Sequence, residues 1–241
     1  MVPSSAGGAG QEADRVARIV VRALDGHLRR VAATAYAVDA EASRARLRAL
    51  HEDLGGRRVL LFYWIEDALP LMLGARLAED LLRSEIAFIR DETIGGRITS
   101  GMLERTGRPV RDLRTTPAAA RTRDVQDLIC DPGWLGIAVD GRGPYRRVGR
   151  PFARLAARRD GFAIPLAARV DRAWTVRAGA TLRIPRRGTS VTVRFGEPIL
   201  CRSGADATLL QLVLQQGLDE TVAAADRALR GGVARAATAS S

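Results

Sequence analysis

Three apolar runs in this chain end on residues that can bind anions or move protons. The first, Arg58 to Trp64, is followed by Glu66 and Asp67. A carboxylate serves as a general base near neutral pH when burial raises its pKa; in the open, the same pair stabilises a helix N-terminus through the macrodipole. The second, Val110 to Leu113, runs into Arg114, Thr115 and Thr116 ahead of Pro117. These residues either cap a helix or hold a phosphate at its start. The third, Trp134 to Val139, leads into Asp140-Gly141-Arg142-Gly143-Pro144. Two glycines there let backbone N–H groups approach an anion, and Arg142 offers a planar bidentate fork. A tight charged turn is the plain alternative for that block.

Composition narrows the chemistry further. All 38 basic residues are arginine and no lysine is present, which removes Schiff-base catalysis and the P-loop lysine. The excess charge is local: Asp140 to Arg194 holds 14 Arg and 3 Asp, a net of +11, and the remainder is neutral. Such a field attracts phosphates of nucleic acid, lipid headgroups or small molecules, and a merely solvated basic face is the alternative. Nucleic acid is set aside as the leading partner because aromatics make up 5% of the chain and few lie in the basic stretch to stack on bases. Cys130 and Cys201 have no CxxC spacing and no histidine neighbour. They suggest no metal site and read as core thiols in a reducing cytoplasm. The longest apolar run, Val59 to Ile65, is far shorter than the roughly 20 residues of a membrane span. The expected location is the cytoplasm, with the inner face of the membrane as a peripheral site.

The elements that must position these blocks follow from periodicity. Mean hydropathy of −0.06 and 46% hydrophobic residues suit one globular domain. Residues 1–12 and 231–241 are small and polar and read as tails, leaving a domain over 13–230. An amphipathic helix is expected from Ala13 to about Val38, with a break near Gly26, and a second from Ala40 to Leu54, stopped by Gly55-Gly56. Strands are expected at 58–64, 86–89, 110–113, 134–139, 162–170, 182–184 and 190–195. Helices are expected at 66–82, 95–106, 117–130, 151–159 and 206–229. The alternation predicts an α/β fold with a mixed, mostly parallel sheet flanked by helices, with helices at the N-terminus. In such sheets a ligand site lies beyond the carboxyl ends of the strands.

Taken in order, the blocks resemble the lysophospholipid acyltransferase-like superfamily, in particular its bacterial branch built around a DGPRGP block. The resemblance covers roughly Arg57 to Ile199. It rests on the strand ending at Trp64, on Arg114-Thr115-Thr116, on the DGRGP stretch, and on Gly149-Arg150-Pro151-Phe152. It continues through Ala163-Ile164-Pro165-Leu166, Trp174, Arg183-Ile184-Pro185 and Val193-Arg194-Phe195-Gly196-Glu197-Pro198. The ordered pair DGRGP and FGEPI is its specific part. The resemblance implies a glycerolipid acyltransferase-like fold and transfer of a fatty acyl group from acyl-CoA or acyl carrier protein to a lysophospholipid or lipid-like hydroxyl. No bound cofactor is implied. Phospholipid or lysolipid, an anionic membrane surface and acyl carrier protein are the implied partners. Arg114, Thr115, Asp140, Gly141, Arg142 and Gly143 would bind substrate, with Arg142 facing phosphate.

The chain departs from the family at the catalytic centre. The histidine that follows the tryptophan is Ile65 here, and no HxxxxD pair exists in the sequence. The two imidazoles, His27 and His51, lie on the N-terminal helices outside the matching region and read as structural. Either Glu66 or Asp67 substitutes as the base, at a cost in rate, or the protein binds its ligand without turning it over.

Overall fold

The computed structural model describes residues 6–78, 86–90, 94–105, 110–112, 133–140, 145–178 and 180–239. Its centre is an eight-stranded sheet, and the strand that begins the candidate site lies in the middle of it. In chain order the strands are β1 (Tyr36–Ala37), β2 (Val59–Tyr63), β3 (Ile86–Arg90), β4 (Val110–Asp112), β5 (Trp134–Ala138), β6 (Gly161–Val170), β7 (Ala173–Ala178), β8 (Ala180–Pro185), β9 (Ser190–Phe195) and β10 (Ile199–Cys201). The sheet order is β1-β9-β6-β2-β5-β3-β4, with β10 on β6; β7 and β8 form a separate hairpin. From β6 to β4 every pairing is parallel, whereas β9 and β10 run antiparallel to β6. The expected mixed, mostly parallel sheet flanked by helices is therefore what the chain forms.

Period-two alternation divides the core into two layers. In β2, Val59, Leu61 and Tyr63 enter one apolar cluster, and Leu60 and Phe62, with Trp64 just beyond the strand, enter the other. The first layer is closed by α1 (Ala6–Ala32), α2 (Ala40–Leu54), α3 (Ala68–Leu77) and α4 (Ile94–Arg105); the second by α5 (Arg150–Ala156) and α6 (Ala207–Ala239). In β6, Ile164, Leu166, Ala168 and Val170 face the first layer and Ala163 and Ala167 the second, so Arg169 emerges on the α6 side. Pro165 has no N–H to give to a ladder, and β6 changes partner there. On one edge β10 pairs with 161–163 and β9 with 166–170, with Gly196 N–H donating to the Pro165 carbonyl between them (2.8 Å). A Cβ at Gly196 would lie 2.2 Å from Thr221 Oγ1 and 2.6 Å from Pro165 Cγ, which is the physical reason for glycine in the Phe195-Gly196 block.

Several expected boundaries are corrected. Helix α1 passes Gly26 without a break, because Leu24, Asp25 and Leu28 around it are all engaged with the domain. Asp25 is 2% exposed and binds Arg29, Arg76 and Arg105 at once, which ties α1 to α3 and α4. That packing outweighs the roughly 1 kcal/mol that glycine costs inside a helix. Residues 6–12 and 231–239 are helical where tails were expected. At the C-terminal end the cause is close packing: a Cβ at Gly232 would lie 2.3 Å from Val38, and Arg235 reaches Asp39 at 3.3 Å. Helix α3 ends at Leu77, five residues before the expected Leu82, and β1, β7 and β10 were not anticipated. The expected helix 117–130 lies outside the described residues.

Candidate functional site

Strands β2, β5 and β4 run parallel in one sheet, so their carboxyl ends leave the same edge. At the end of β2 the chain turns through a 3-10 helix, Ile65–Asp67, into α3. Asp140, just beyond β5, braces that turn: Oδ1 accepts the Ile65 N–H (2.8 Å) and Oδ2 the Arg146 N–H (3.1 Å). Asp140 is 5% exposed, and burial pushes its carboxyl above the usual carboxylate range, against these two hydrogen bonds. It works here as a connector between the β2 and β5 ends. Replacing it with alanine strands the buried Ile65 N–H, at a cost of about 1–3 kcal/mol in urea unfolding. Asp140→Asn retains one acceptor oxygen and is expected to lose less.

Glu66 is 1% exposed and fully committed. Its Oε1 takes Arg146 Nη2 (2.6 Å) and Nε (3.0 Å), while Oε2 accepts the Tyr145 hydroxyl and lies 3.8 Å from Arg183 Nε. Burial opposes its ionisation, but the Tyr145 and Arg146 hydrogen bonds and the Arg183 and Arg146 charges prevail and hold its pKa below the ordinary glutamate value. A carboxylate with its lone pairs so occupied is a poor proton acceptor. Asp67 has no exposure at all and pairs with Arg169, itself 1% exposed near the end of β6. Burial raises the Asp67 carboxyl to about 7, against the attraction of Arg169 and with help from the Glu66 charge. Arg169 Nη2 is 3.6 Å from Glu66 and its Nε 3.3 Å from Asp226 of α6.

The result is an internal ion network joining the 3-10 turn, the segment after residue 144, β6, β8 and α6. Its charges are largely matched, with Glu66, Asp67 and Asp226 against Arg146, Arg169 and Arg183. Some polar capacity is left over: Trp64 Nε1, Asp67 Oδ2 and Arg169 Nη2 are buried without a hydrogen-bond partner among the described residues. Ile65, which follows Trp64, is 5% exposed and packs in the first core layer.

Of the residues singled out from sequence, Glu66, Asp67 and Asp140 come together at one edge of the sheet. Arg114, Thr115, Gly141, Arg142 and Gly143 lie outside the described residues, although the strands that precede them end on that edge, with β4 two strand spacings, about 10 Å, from β5. Sequence reasoning missed Tyr145, Arg146, Arg169 and Arg183. A signal for Arg169 was present: a lone charge inside the apolar run from Phe162 to Val170 must carry a buried partner. Both histidines have structural contacts. His51 stacks on Trp134 with ring centroids 4.0 Å apart, and His27 Nε2 donates to the Pro185 carbonyl (2.8 Å). Cys201 is a buried free thiol that burial raises to about 11. Among the described residues no group of histidine, cysteine and carboxylate side chains could hold a metal ion, and no helix is long and apolar enough to cross a membrane. No protein-family model, curated protein or solved structure matches the chain.

Proposed function

We propose that this chain is an acyltransferase-like protein that keeps the lipid- and donor-binding frame of the lysophospholipid type but lacks an accessible base. It binds acyl-CoA, acyl carrier protein or a lysolipid phosphate and does not turn them over at the rate of a histidine enzyme. The ordered DGRGP and FGEPI blocks support the frame. One observation carries the loss of base: the two carboxylates next to the tryptophan are 1% and 0% exposed and bound to arginines. A hydroxyl must come within hydrogen-bond reach of its base, and neither carboxylate is open to one.

A second reading, an acyltransferase with Asp67 as base, is favoured by the rise of its pKa to about 7, where a general base works best. One experiment separates the two. The purified chain is titrated with coenzyme A thioester and lysophospholipid, and acyl transfer is followed with labelled acyl-CoA and acyl carrier protein as donors. The expected result is saturable binding without multiple turnover, unchanged in binding by Asp67→Asn. Turnover that Asp67→Asn abolishes, with binding retained, establishes the second reading. Absence of binding to donor and acceptor alike removes both.

A further inference from the structure

A second cluster of arginines differs from the first in pairing with no carboxylate among the described residues. His27 and Arg30 of α1, Trp174 of β7, and Arg186 and Arg187 after β8 line an open groove of about 360 Å³. Arg186 lies over the Trp174 ring, 5.4 Å from its centroid, and the His27 ring packs 5.6 Å from it. Arg30 spends its Nε on the Gly26 carbonyl (3.1 Å). None of the three arginines pairs with a carboxylate among the described residues, whereas every arginine around Glu66 and Asp25 does. Like charges gathered in one groove without counter-charge repel, and an anion seated among them relieves the repulsion.

The surroundings of the groove say which anion. At helical spacing, Val16, Ile19, Ala23, His27 and Arg30 form one stripe along α1. Its first two members are 49% and 60% exposed. They extend the groove face about 16 Å along the helix, flanked by exposed Arg15, Arg18 and Arg22. On the hairpin, Trp174 is 50% and Val176 40% exposed. A soluble phosphate needs the guanidinium groups alone, and a nucleic acid gains nothing from exposed valine and isoleucine. A row of apolar side chains beside arginines matches a bilayer interface, where the apolar groups enter the acyl boundary and the guanidinium groups meet the headgroup phosphates.

We infer that α1 and the β7–β8 hairpin dock this protein on an anionic lipid bilayer, with a headgroup phosphate seated between Arg30, Arg186 and Arg187. Docking is independent of acyl transfer and stands whether or not the chain turns over.

The chain has three tryptophans, and Trp64 and Trp134 are buried, so a bilayer-induced change in emission reports Trp174. The full chain is mixed with vesicles of phosphatidylcholine alone or with equal parts of phosphatidylglycerol. The expected result is sedimentation with the anionic vesicles only, with a blue shift of the emission that Trp174→Phe removes. Arg186→Glu/Arg187→Glu should weaken binding more than about tenfold. Val16→Ser/Ile19→Ser, which changes exposed positions only, should weaken it at unchanged helix content by circular dichroism. Equal binding to both vesicle types overturns the proposal, as does anionic binding without a Trp174 shift. Competition by inorganic phosphate that abolishes binding assigns the groove to a soluble anion, and an oligonucleotide that binds with loss in the same Arg186/Arg187 variant assigns it to nucleic acid; either result also overturns it.

Discussion

Above pH 7, where Asp67 is ionised, Arg169→Met alone is expected to destabilise the protein by about 3–5 kcal/mol, because it leaves Asp67 buried without its counter-charge and deprives Glu66 and Asp226 of a neighbour. Arg169→Met combined with Asp67→Leu removes both members of the buried pair and should recover most of that loss, since hydrophobic replacement of a complete buried pair is often neutral or stabilising. Urea unfolding of wild type, the two single variants and the double variant gives the coupling directly. If the double variant is as unstable as the sum of the singles, the pair is not the unit that holds β6 to the 3-10 turn. Glu66 keeps Arg146 and Arg183 in all four proteins, so the cycle isolates the Arg169–Asp67 contact.

The same aspartate is expected to make stability fall as pH rises. In the unfolded chain Asp67 ionises near 3.8, and in the folded protein near 7. Between those values the folded state holds one more proton than the unfolded state. The contribution is therefore fully present below pH 3.8, declines as pH rises through the window, and is spent above about 7, with a limiting slope of about 1.4 kcal/mol per pH unit. Asp67→Asn should flatten this part of the stability profile, because it removes the carboxyl that titrates in the window. Glu66 acts in the opposite sense: its pKa is lowered, so its stabilisation exists above its ordinary value of 4.5 and is lost in acid. Chemical denaturation at a series of pH values separates the two. A wild-type profile parallel to that of Asp67→Asn between pH 4 and 7 would show that the buried carboxyl does not carry the proton.

Proximity of carboxylates at a strand end does not by itself make an accessible base. Burial that raises a carboxyl pKa suits a base, but the burial at Asp67 is complete and its partner is an arginine fixed in a central strand. At Glu66 the arginine and the tyrosine following the glycine-rich block occupy both oxygens. The cations that occupy these acidic groups come from positions 80 and 102 residues further along the chain.

What could be read from the sequence was whatever depends on local pattern. Short apolar runs placed β2, β5, β6 and β9, and Gly55-Gly56 marked the end of α2, because apolar clustering and glycine stops act within a few residues. The short run at 173–178 gave no such sign: Trp174, Thr175, Val176 and Arg177 are all exposed, so β7 has no buried face to imprint an alternation. Gly26 suggested a break that did not occur, since the contacts holding α1 straight come from Arg76 and Arg105, far along the chain.

For the site, the sequence alone determined which carboxylates stand at the end of β2, that isoleucine and not histidine follows Trp64, and that positive charge gathers after residue 140. Only the tertiary structure decided that Glu66 and Asp67 are enclosed by arginines from three other elements, and that Arg30, Arg186 and Arg187 share a groove without pairing to an acid among the described residues. The physical reason is that burial and charge pairing are properties of residues brought together across separations of tens to more than a hundred positions, as Glu66 is with Arg146 and Arg30 with Arg186. A pKa, and with it the capacity to take a proton or hold an anion, belongs to that assembled environment and not to the side chain.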